Sequence, residues 1–327
     1  MKKRRIGFVM DPIEAINPKK DTTLAFMLEA QRRGWRVGHM TMGDLSLVNG
    51  QAMGNMRYVR LYDDASRWFE TKNEEYCALS ELDMIMMRKD PPFDMEYVMA
   101  TYILERAEEE GAFVVNKPRS LRDVNEKVFT AWIPACCPPS LFSRSRTDIR
   151  RFAQQHGKIV LKPTGKMGGR SVFIIANGDP NANVIIEELT QYGTVYVQAQ
   201  AYLPEIVSSG DKRIILINGE ALEQAIARIP GPDDHRGNMA VGAKASPIML
   251  SERDKWLCAQ IGPILRDRGL YFVGIDVIGD HITEINVTSP TGLREIDAFF
   301  SLNTSSIVFD ALEDLLEQKN KKIIAGK

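Results

Sequence analysis

Short apolar runs broken by turn residues recur through the first third of the chain. Ile6–Met10 is apolar and stops at Asp11-Pro12, which predicts a buried first strand. Asp21 and Thr22 offer a helix N-cap ahead of Leu24, Phe26, Met27, Leu28 and Ala30, and Gly34 ends that periodicity. Trp35–Met40, Met84–Met87 and Phe113–Val115 read as further strands, with a helix over Asp94–Glu110 before the last of them. Strands alternating with helices predict an α/β domain on a mostly parallel, doubly wound sheet. No Gly-x-Gly-x-x-Gly follows the first strand, so a nicotinamide-type dinucleotide site has little support.

The pattern changes after Asn116-Lys117-Pro118. Short strands and two helices, Thr147–His156 and Asn183–Tyr192, fill the stretch from Pro138 to Gln200. Strands follow at Arg213–Ile217 and Leu222–Ile229, turning at Asn218-Gly219. A long helix, Ser251–Arg268, leads into strands Tyr271–Ile278 and Ile282–Val287. A last helix over Ser305–Gln318 precedes a Lys-rich tail expected to fray. The expected plan is an α/β domain over 1–122, two α+β pieces over 123–200 and 201–316 with antiparallel sheets, and a flexible tail over 317–327.

Composition narrows the classes. The 327 residues are 44% hydrophobic and 26% charged, with a net charge of −1; an ordinary globular protein is expected, without the basic excess of a nucleic-acid binder. The apolar stretch after Lys2-Lys3-Arg4-Arg5 is too short for a signal-peptide core, and no run approaches the ~20 residues of a membrane span. Cys77, Cys136, Cys137 and Cys258 form no Cys-x-x-Cys pair and read as free thiols, so a cytoplasmic location is expected.

The strongest chemical constellation lies between Gly274 and Pro290. Glu284 and Asn286 are two apart on a predicted strand and leave by the same face. With a three-residue loop, Gly279-Asp280-His281, Ile278 stands opposite Ile282 and Asp276 opposite Glu284. Two such carboxylates repel by about 4 kcal/mol at 4 Å and an effective dielectric near 20, and a dication removes that cost. A two-residue turn would put Asp276 on the wrong face. The bland alternative is a solvated strand face.

A second signal is Lys162-Pro163-Thr164-Gly165-Lys166-Met167-Gly168-Gly169-Arg170-Ser171 between two apolar strands. Glycines let backbone N–H groups approach phosphate, and Lys162 adds a point charge; the alternative is a glycine-rich hairpin. Lys127 alone reads as a solvated charge. Arg88 ends a buried strand, where α/β sheets bind ligands. Arg213 and Arg228 fall within apolar strand patterns and need partners, for which an internal carboxylate such as Glu220 would serve. The polar stretch Pro230–Gly242 has the length of a lid, and Arg236 within it could close on an anion, whereas His235 reads as a loop residue. Cys136 and Cys137 lack a pairing histidine and do not read as nucleophiles.

Taken together, these segments resemble the bacterial glutathione synthetases of the ATP-grasp class. The resemblance runs from about Ile6 to Leu315 and is carried by Met87-Arg-Lys-Asp-Pro-Pro-Phe-Asp94, Asn125-Glu-Lys127, Gly210-Asp-Lys-Arg213, Arg236-Gly-Asn238 and Thr283-Glu-Ile-Asn-Val-Thr-Ser-Pro290. It implies a two-part ATP-grasp fold behind the N-terminal domain, and ligation of γ-glutamylcysteine to glycine with ATP going to ADP and phosphate. Mg²⁺ (or Mn²⁺), two ions with ATP, would be held by Asp276, Glu284 and Asn286. Lys127, Lys162 and the loop bearing Gly165, Lys166, Met167, Gly168, Gly169 and Ser171 would hold the phosphates, with Gln200, Tyr202 and Leu203 at the adenine and Asp211 at the ribose. Arg213, Arg228 and Lys162 would be catalytic; Arg88, Arg213, Arg228, Arg236, Asn286, Ser289 and Arg294 would bind substrate. A homo-oligomer, a tetramer by resemblance, without nucleic-acid or membrane partners is implied. The phosphate loop departs from the family pattern at Gly165-Lys166, where Asp-Gly is common, and Ala201 stands where an asparagine is frequent.

Overall fold

The computed structural model describes residues 3–231, 237 and 242–325, and side chains as far as 321. Among these residues the chain forms three sheets. The first contains β1 (Arg5–Val9), β2 (Arg36–Met40), β3 (Leu45–Val48), β4 (Gln51–Leu61), β5 (Phe69–Ala78), β6 (Met84–Met87) and β7 (Phe113–Val115). The second contains β8 (Ser140–Ser143), β9 (Lys158–Pro163), β10 (Phe173–Ala176) and β11 (Val197–Ala201). The third contains β12 (Asp211–Ile217), β13 (Glu220–Ala221), β14 (Gln224–Ile229), β15 (Lys244–Met249), β16 (Phe272–Ile278) and β17 (His281–Asn286). The helices are α1 (Thr22–Arg32), α2 (Met95–Glu109), α3 (Pro118–Asp123), α4 (Arg146–His156), α5 (Ala182–Thr190), α6 (Glu205–Ser208), α7 (Glu252–Asp267), α8 (Leu293–Phe300) and α9 (Thr304–Ala325).

In the first sheet β2, β1, β6 and β7 run parallel in that spatial order. The strands β3, β4 and β5 extend it in antiparallel fashion, β4 pairing with β3 and β2 along one edge and with β5 along the other. The second sheet has the order β10-β9-β11-β8 and the third β15-β14-β12-β16-β17, both antiparallel. Local signals set the helix starts: Asp21 accepts from Leu24 N, Asp94 from Tyr97 N, and Ser251 and Asp254 form a capping box ahead of α7. At Asn218-Gly219 both residues have positive φ, 50° and 82°, the conformation of a tight hairpin turn. A Cβ on Gly262 of α7 would lie 2.1 Å from the Gly219 carbonyl oxygen, so helix and turn touch backbone to backbone.

Two of the three apolar cores mix residues of the first and third sheets. One joins Val9, Met87 and Val114 to Ile214, Ile275 and Val287; the other joins Phe8, Phe26 and Met86 to Ile215, Phe272 and Phe309. The second sheet has a core of its own, Ile149, Ile159, Leu161, Ile175, Ile186 and Val197 among its members. The buried Asn116 after β7 ties the first sheet to the third. Its Nδ2 donates to the Phe272 and Val287 carbonyls, both at 2.8 Å, and its Oδ1 accepts from Phe272 N at 2.9 Å.

Two expectations need correction. The Lys-rich tail expected to fray is helical as far as Ala325, and Lys319 donates to the Gly111 carbonyl at 3.0 Å and to that of Ala112. Glu220 is not the partner of the strand arginines. It pairs with Arg266, and Arg213 and Arg228 take aspartates.

Removing the Asn116 side chain strands three buried backbone groups, each costing about 1–3 kcal/mol. Asn116→Ala is expected to lower unfolding free energy by about 3–5 kcal/mol in denaturant titration. His39 on β2 is buried, and neither ring nitrogen has a hydrogen-bond partner among the described residues. Burial, and then Arg57, push its pKa below the ordinary 6.5. The unfolded chain therefore takes up a proton below about pH 6.5 that the native one refuses, so stability falls with pH in that range, with a slope approaching about 1.4 kcal/mol per unit. His39→Leu is expected to flatten that part of the stability–pH profile.

Candidate active site

The face of the third sheet turned toward the second carries a row of charges set by strand register. Arg228 on β14 stands opposite Asp211 on β12, Arg213 on β12 opposite Asp276 on β16, and Asp276 opposite Glu284 on β17. The β16–β17 loop is shorter than expected, since Ile278 pairs with His281. That turn alone would set Asp276 opposite Thr283. An irregularity between Asp276 and Val277 leaves Thr283 as an extra residue on β17, and its hydroxyl reaches the Asp276 carbonyl at 3.3 Å. The bulge returns Glu284 to the position across from Asp276. Gly274 pairs with Asn286, and a Cβ there would meet Arg213 Cδ at 3.0 Å, so the missing side chain makes room for the guanidinium.

The row alternates in sign as far as Asp276, beyond which Glu284 repeats the negative charge. Arg213 Nε lies 2.7 Å from Asp276 Oδ1, Arg228 Nη2 lies 2.9 Å from Asp276 Oδ2, and Arg228 also bonds the Asp211 carboxylate. Burial alone would raise the Asp276 carboxyl, but the two guanidiniums outweigh it and hold it below the carboxylate range. Burial, with the Asp276 charge, pushes the Asp211 carboxyl up against Arg228 and, more weakly, Arg213 and Lys162. Glu284 Oε1 is 2.7 Å from Lys127 Nζ, which also donates to the Lys166 carbonyl at 2.8 Å. Burial would lower the Lys127 ammonium, yet Glu284 raises it above its ordinary value. Lys162, on β9, has Gln200 Oε1 as its hydrogen-bond partner at 2.9 Å, and burial pushes it down despite Glu284.

Lys127, Lys162, Asp211, Asp276 and Glu284 line a cleft between the second and third sheets. One end is apolar, with Val160, Ile174, Leu203, Ile206 and Ile278 beside Gln200 and Tyr202; the other holds Lys127, Lys162, Asp211, Asp276 and Glu284. Met167, Gly168 and Gly169 roof it, and positive φ at Gly168, Gly169 and Ser171 shapes that loop. Lys166 Nζ reaches Ser171 Oγ at 3.2 Å. A second chamber shares Met167, Gly168, Asp276 and Glu284 and adds Arg213, Arg228, Asn286, Ser289, Asp90 and Glu126. An apolar slot leading to two lysines and three carboxylates, with an arginine-lined chamber beyond, suits a base with a phosphate chain next to an anionic co-substrate.

The donor set at the junction fits a divalent cation. The Asp276 and Glu284 carboxylates face each other, and the Asn286 amide nitrogen is buried without a hydrogen-bond partner among the described residues. These are hard oxygen donors, the kind Mg²⁺ takes together with phosphate and water. Among the described residues no group of three or more His, Cys, Asp or Glu gathers at ligating geometry, so an ion here needs the Asn286 amide or substrate oxygens.

Not every expected residue meets here. Arg294 bonds Asp63 at 2.9 Å and lines a separate cleft beside α1 and α8. Arg88 is buried behind the second chamber, its Nη2 donating to the Pro290 carbonyl at 2.9 Å, its Nε to Thr23 at 3.2 Å, between the Phe26 and Phe272 rings. Burial pushes it down to about 10, with Asp21 and Asp90 opposing. Arg236, His235 and most of the expected lid lie outside the described residues. Sequence reasoning assigned no role to Glu126, whose Oε1 accepts from Val287 N at 2.9 Å, Thr288 N at 3.1 Å and Thr288 Oγ1 at 2.9 Å, fastening the end of β17. Its place beside Asn125 and Lys127 was the available signal.

The chain matches the family model for the prokaryotic glutathione synthetase N-terminal domain over residues 5–122 and that for the prokaryotic glutathione synthetase ATP-grasp domain over 126–301. It is 52% identical over 313 residues to a glutathione synthetase of Vibrio cholerae, covering 96% of this chain and 98% of the other. It is also 52% identical over 314 residues to one of Shewanella oneidensis, covering 96% and 99%. In fold it is similar to a D-cycloserine synthetase at 14% identity and TM-score 0.67, covering 95% and 99%. An ATP-grasp ligase solved with a minimal precursor, Mg and ADP gives 17% identity and TM-score 0.62, covering 95% and 97%.

The half-buried Lys162 ammonium has one neutral hydrogen-bond partner among the described residues, and its burial outweighs the nearby carboxylates. Lys162→Met is therefore expected to leave the thermal midpoint of the ligand-free protein unchanged or higher. The same change weakens binding of a fluorescent ATP analogue at least about tenfold, the scale of one lost charge-assisted contact.

Proposed function

The chain belongs to the prokaryotic glutathione synthetase family, and on that premise we propose how its own residues divide the work. It is an ATP-dependent carboxylate–amine ligase that joins γ-glutamylcysteine to glycine and releases ADP and phosphate. The observation that carries the assignment of residues is the meeting of Lys127, Lys162, Asp276 and Glu284 at the polar end of one cleft, with Arg213 and Arg228 opening into the next chamber.

On this reading the adenine lies in the apolar end against Val160, Ile174, Leu203 and Ile278, near Gln200 and Tyr202, with Asp211 at the ribose. The phosphates run under Met167, Gly168 and Gly169 toward Lys127 and Lys162. The dipeptide occupies the second chamber, where Arg213, Arg228, Asn286 and Ser289 orient it. Arg88 acts from behind by fixing the Pro290 carbonyl, which sets the Ser289–Thr291 turn. A divalent ion, Mg²⁺ or Mn²⁺, held by Asp276, Glu284 and Asn286 would supply charge neutralisation of the transferring phosphoryl group. Action as a homo-oligomer in the cytoplasm is part of the same proposal.

The reaction needs no covalent enzyme adduct. A carboxylate oxygen of the dipeptide's cysteine bonds to the γ-phosphorus as the bond to ADP breaks. The neutral amine of glycine then bonds to the acyl carbon, inorganic phosphate leaves with the C–O bonding pair, and the amine gives up a proton. Both steps move negative charge past Arg213, Arg228 and Lys162, and one such contact is worth on the order of 10²–10³ in rate. The four cysteines are all buried and free, and burial pushes the Cys137 and Cys258 thiols up to about 12, which suits packing rather than attack.

Coupled ADP detection tests the reading: release is expected to require γ-glutamylcysteine and glycine together, and release with D-alanine as the sole amino acid would remove it. Glu284→Gln is expected to abolish turnover while circular dichroism and the melting midpoint stay near those of the parent. An undiminished rate would defeat the placement of the ion.

A further inference from the structure

The substrate assigned above carries an ammonium as well as two carboxylates, and its second chamber holds four acidic side chains that could receive it. Three are committed. Asp276 is shared by Arg213 and Arg228, Glu284 is paired with Lys127, and Glu126 takes three donors from Val287 and Thr288. The fourth, Asp90, differs. One of its carboxylate oxygens accepts from the Ser289 hydroxyl, and the other has no hydrogen-bond or ion-pair partner among the described residues. Its neighbour Lys89 gives its ammonium to Asp11 at 2.9 Å and to the Asp90 backbone carbonyl at 2.6 Å, and Arg88, which feels the Asp90 charge, spends its hydrogen bonds on Pro290 and Thr23, so no cation is in ion-pair contact with the carboxylate among the described residues.

Asp90 is also well placed. It follows β6 at the carboxyl end of the parallel strands, where open α/β sheets receive ligands. Its backbone N–H donates to Asp11 Oδ2 at 3.0 Å, which fixes the turn, and Ser289 aims the carboxylate at the chamber from the far side. Two arginines and one carboxylate without an ion-pair contact, lining the same chamber, form the complement of a molecule bearing anionic and cationic ends.

Resting on the ligase reading, we propose that Asp90 anchors the α-ammonium of the γ-glutamyl group and so sets specificity for an acyl substrate with a free amino terminus. Ser289 is the positioning residue that holds it. The anchor lies on the first sheet, while the reacting carboxylate is met by arginines of the third, so the dipeptide is gripped at both ends across the seam between them.

The experiment compares kcat/KM for γ-glutamylcysteine with that for N-glutarylcysteine, the same molecule lacking the amino group, in wild type, Asp90→Asn and Asp90→Glu. Wild type is expected to favour the amine-bearing substrate by about 10–100-fold, the range for a hydrogen bond between charged groups. Asp90→Asn is expected to raise KM for γ-glutamylcysteine and bring the two substrates within a few-fold of each other, with KM for ATP and glycine unchanged. Asp90→Glu, which keeps the charge, is expected to restore part of the preference. A preference that persists in Asp90→Asn overturns the proposal, as does an equal loss with both substrates or an effect confined to the kinetics of glycine. Absence of all turnover by the wild-type enzyme with γ-glutamylcysteine and glycine overturns the ligase reading itself, and the anchor with it.

Discussion

Register across four antiparallel strands is the constraint on which the site depends. Side chains alternate faces along a strand, so a slip of one residue on β12, β14, β16 or β17 would send part of the row Arg228, Asp211, Arg213, Asp276 and Glu284 to the opposite side. Kept in register, the row solves an electrostatic problem. Each buried ion costs several kcal/mol to desolvate, and like charges in contact repel; Arg228 and Arg213 answer Asp211 and Asp276 within the row, and Lys127 from outside it answers Glu284. The opposite face is used differently: Lys212, between Asp211 and Arg213, points to Asp254 of α7 and the Gly279 carbonyl, tying the strand to its supporting helix.

The same arrangement accounts for the balance between stability and chemistry. With its guanidiniums engaged, Asp276 stays ionised in a dry setting, as a ligand for a hard cation must. Lys162 is left with a neutral amide, so an arriving polyphosphate meets a cation whose charge is poorly compensated. Nucleotide affinity is thus drawn partly from a cost already present in the fold.

Much of this was legible in the chain. Helix caps at Asp21, Asp94 and Ser251, strands β6 and β7 and the turn at Asn218-Gly219 followed from local signals that tertiary structure had no reason to override. The antiparallel strands β3–β5 were not read. In β4 the inward positions include Ala52 and Gly54, too small to register as an apolar alternation, and β5 is an edge strand carrying Glu70, Lys72, Glu74 and Glu75. The pairing of Asp276 with Glu284 was expected for an incorrect reason, a longer loop, and holds because the extra residue is Thr283 instead, a bulge no spacing rule predicts. Arg294 and Arg88 mark another limit. Their motifs are close in sequence to the chamber, but whether a long side chain turns into a cavity or behind it depends on neighbours such as Asp63 and the Pro290 carbonyl.

The Asn116 staple and the shared cores make the first and third sheets one mechanical body, whereas the second sheet closes over its own interior. A nucleotide in the cleft would then span the seam between these two bodies. Like the edge of a jaw, Met167 and Gly168 of the smaller piece border both the cleft and the second chamber, so any turn of that piece on the larger body reshapes the two pockets together.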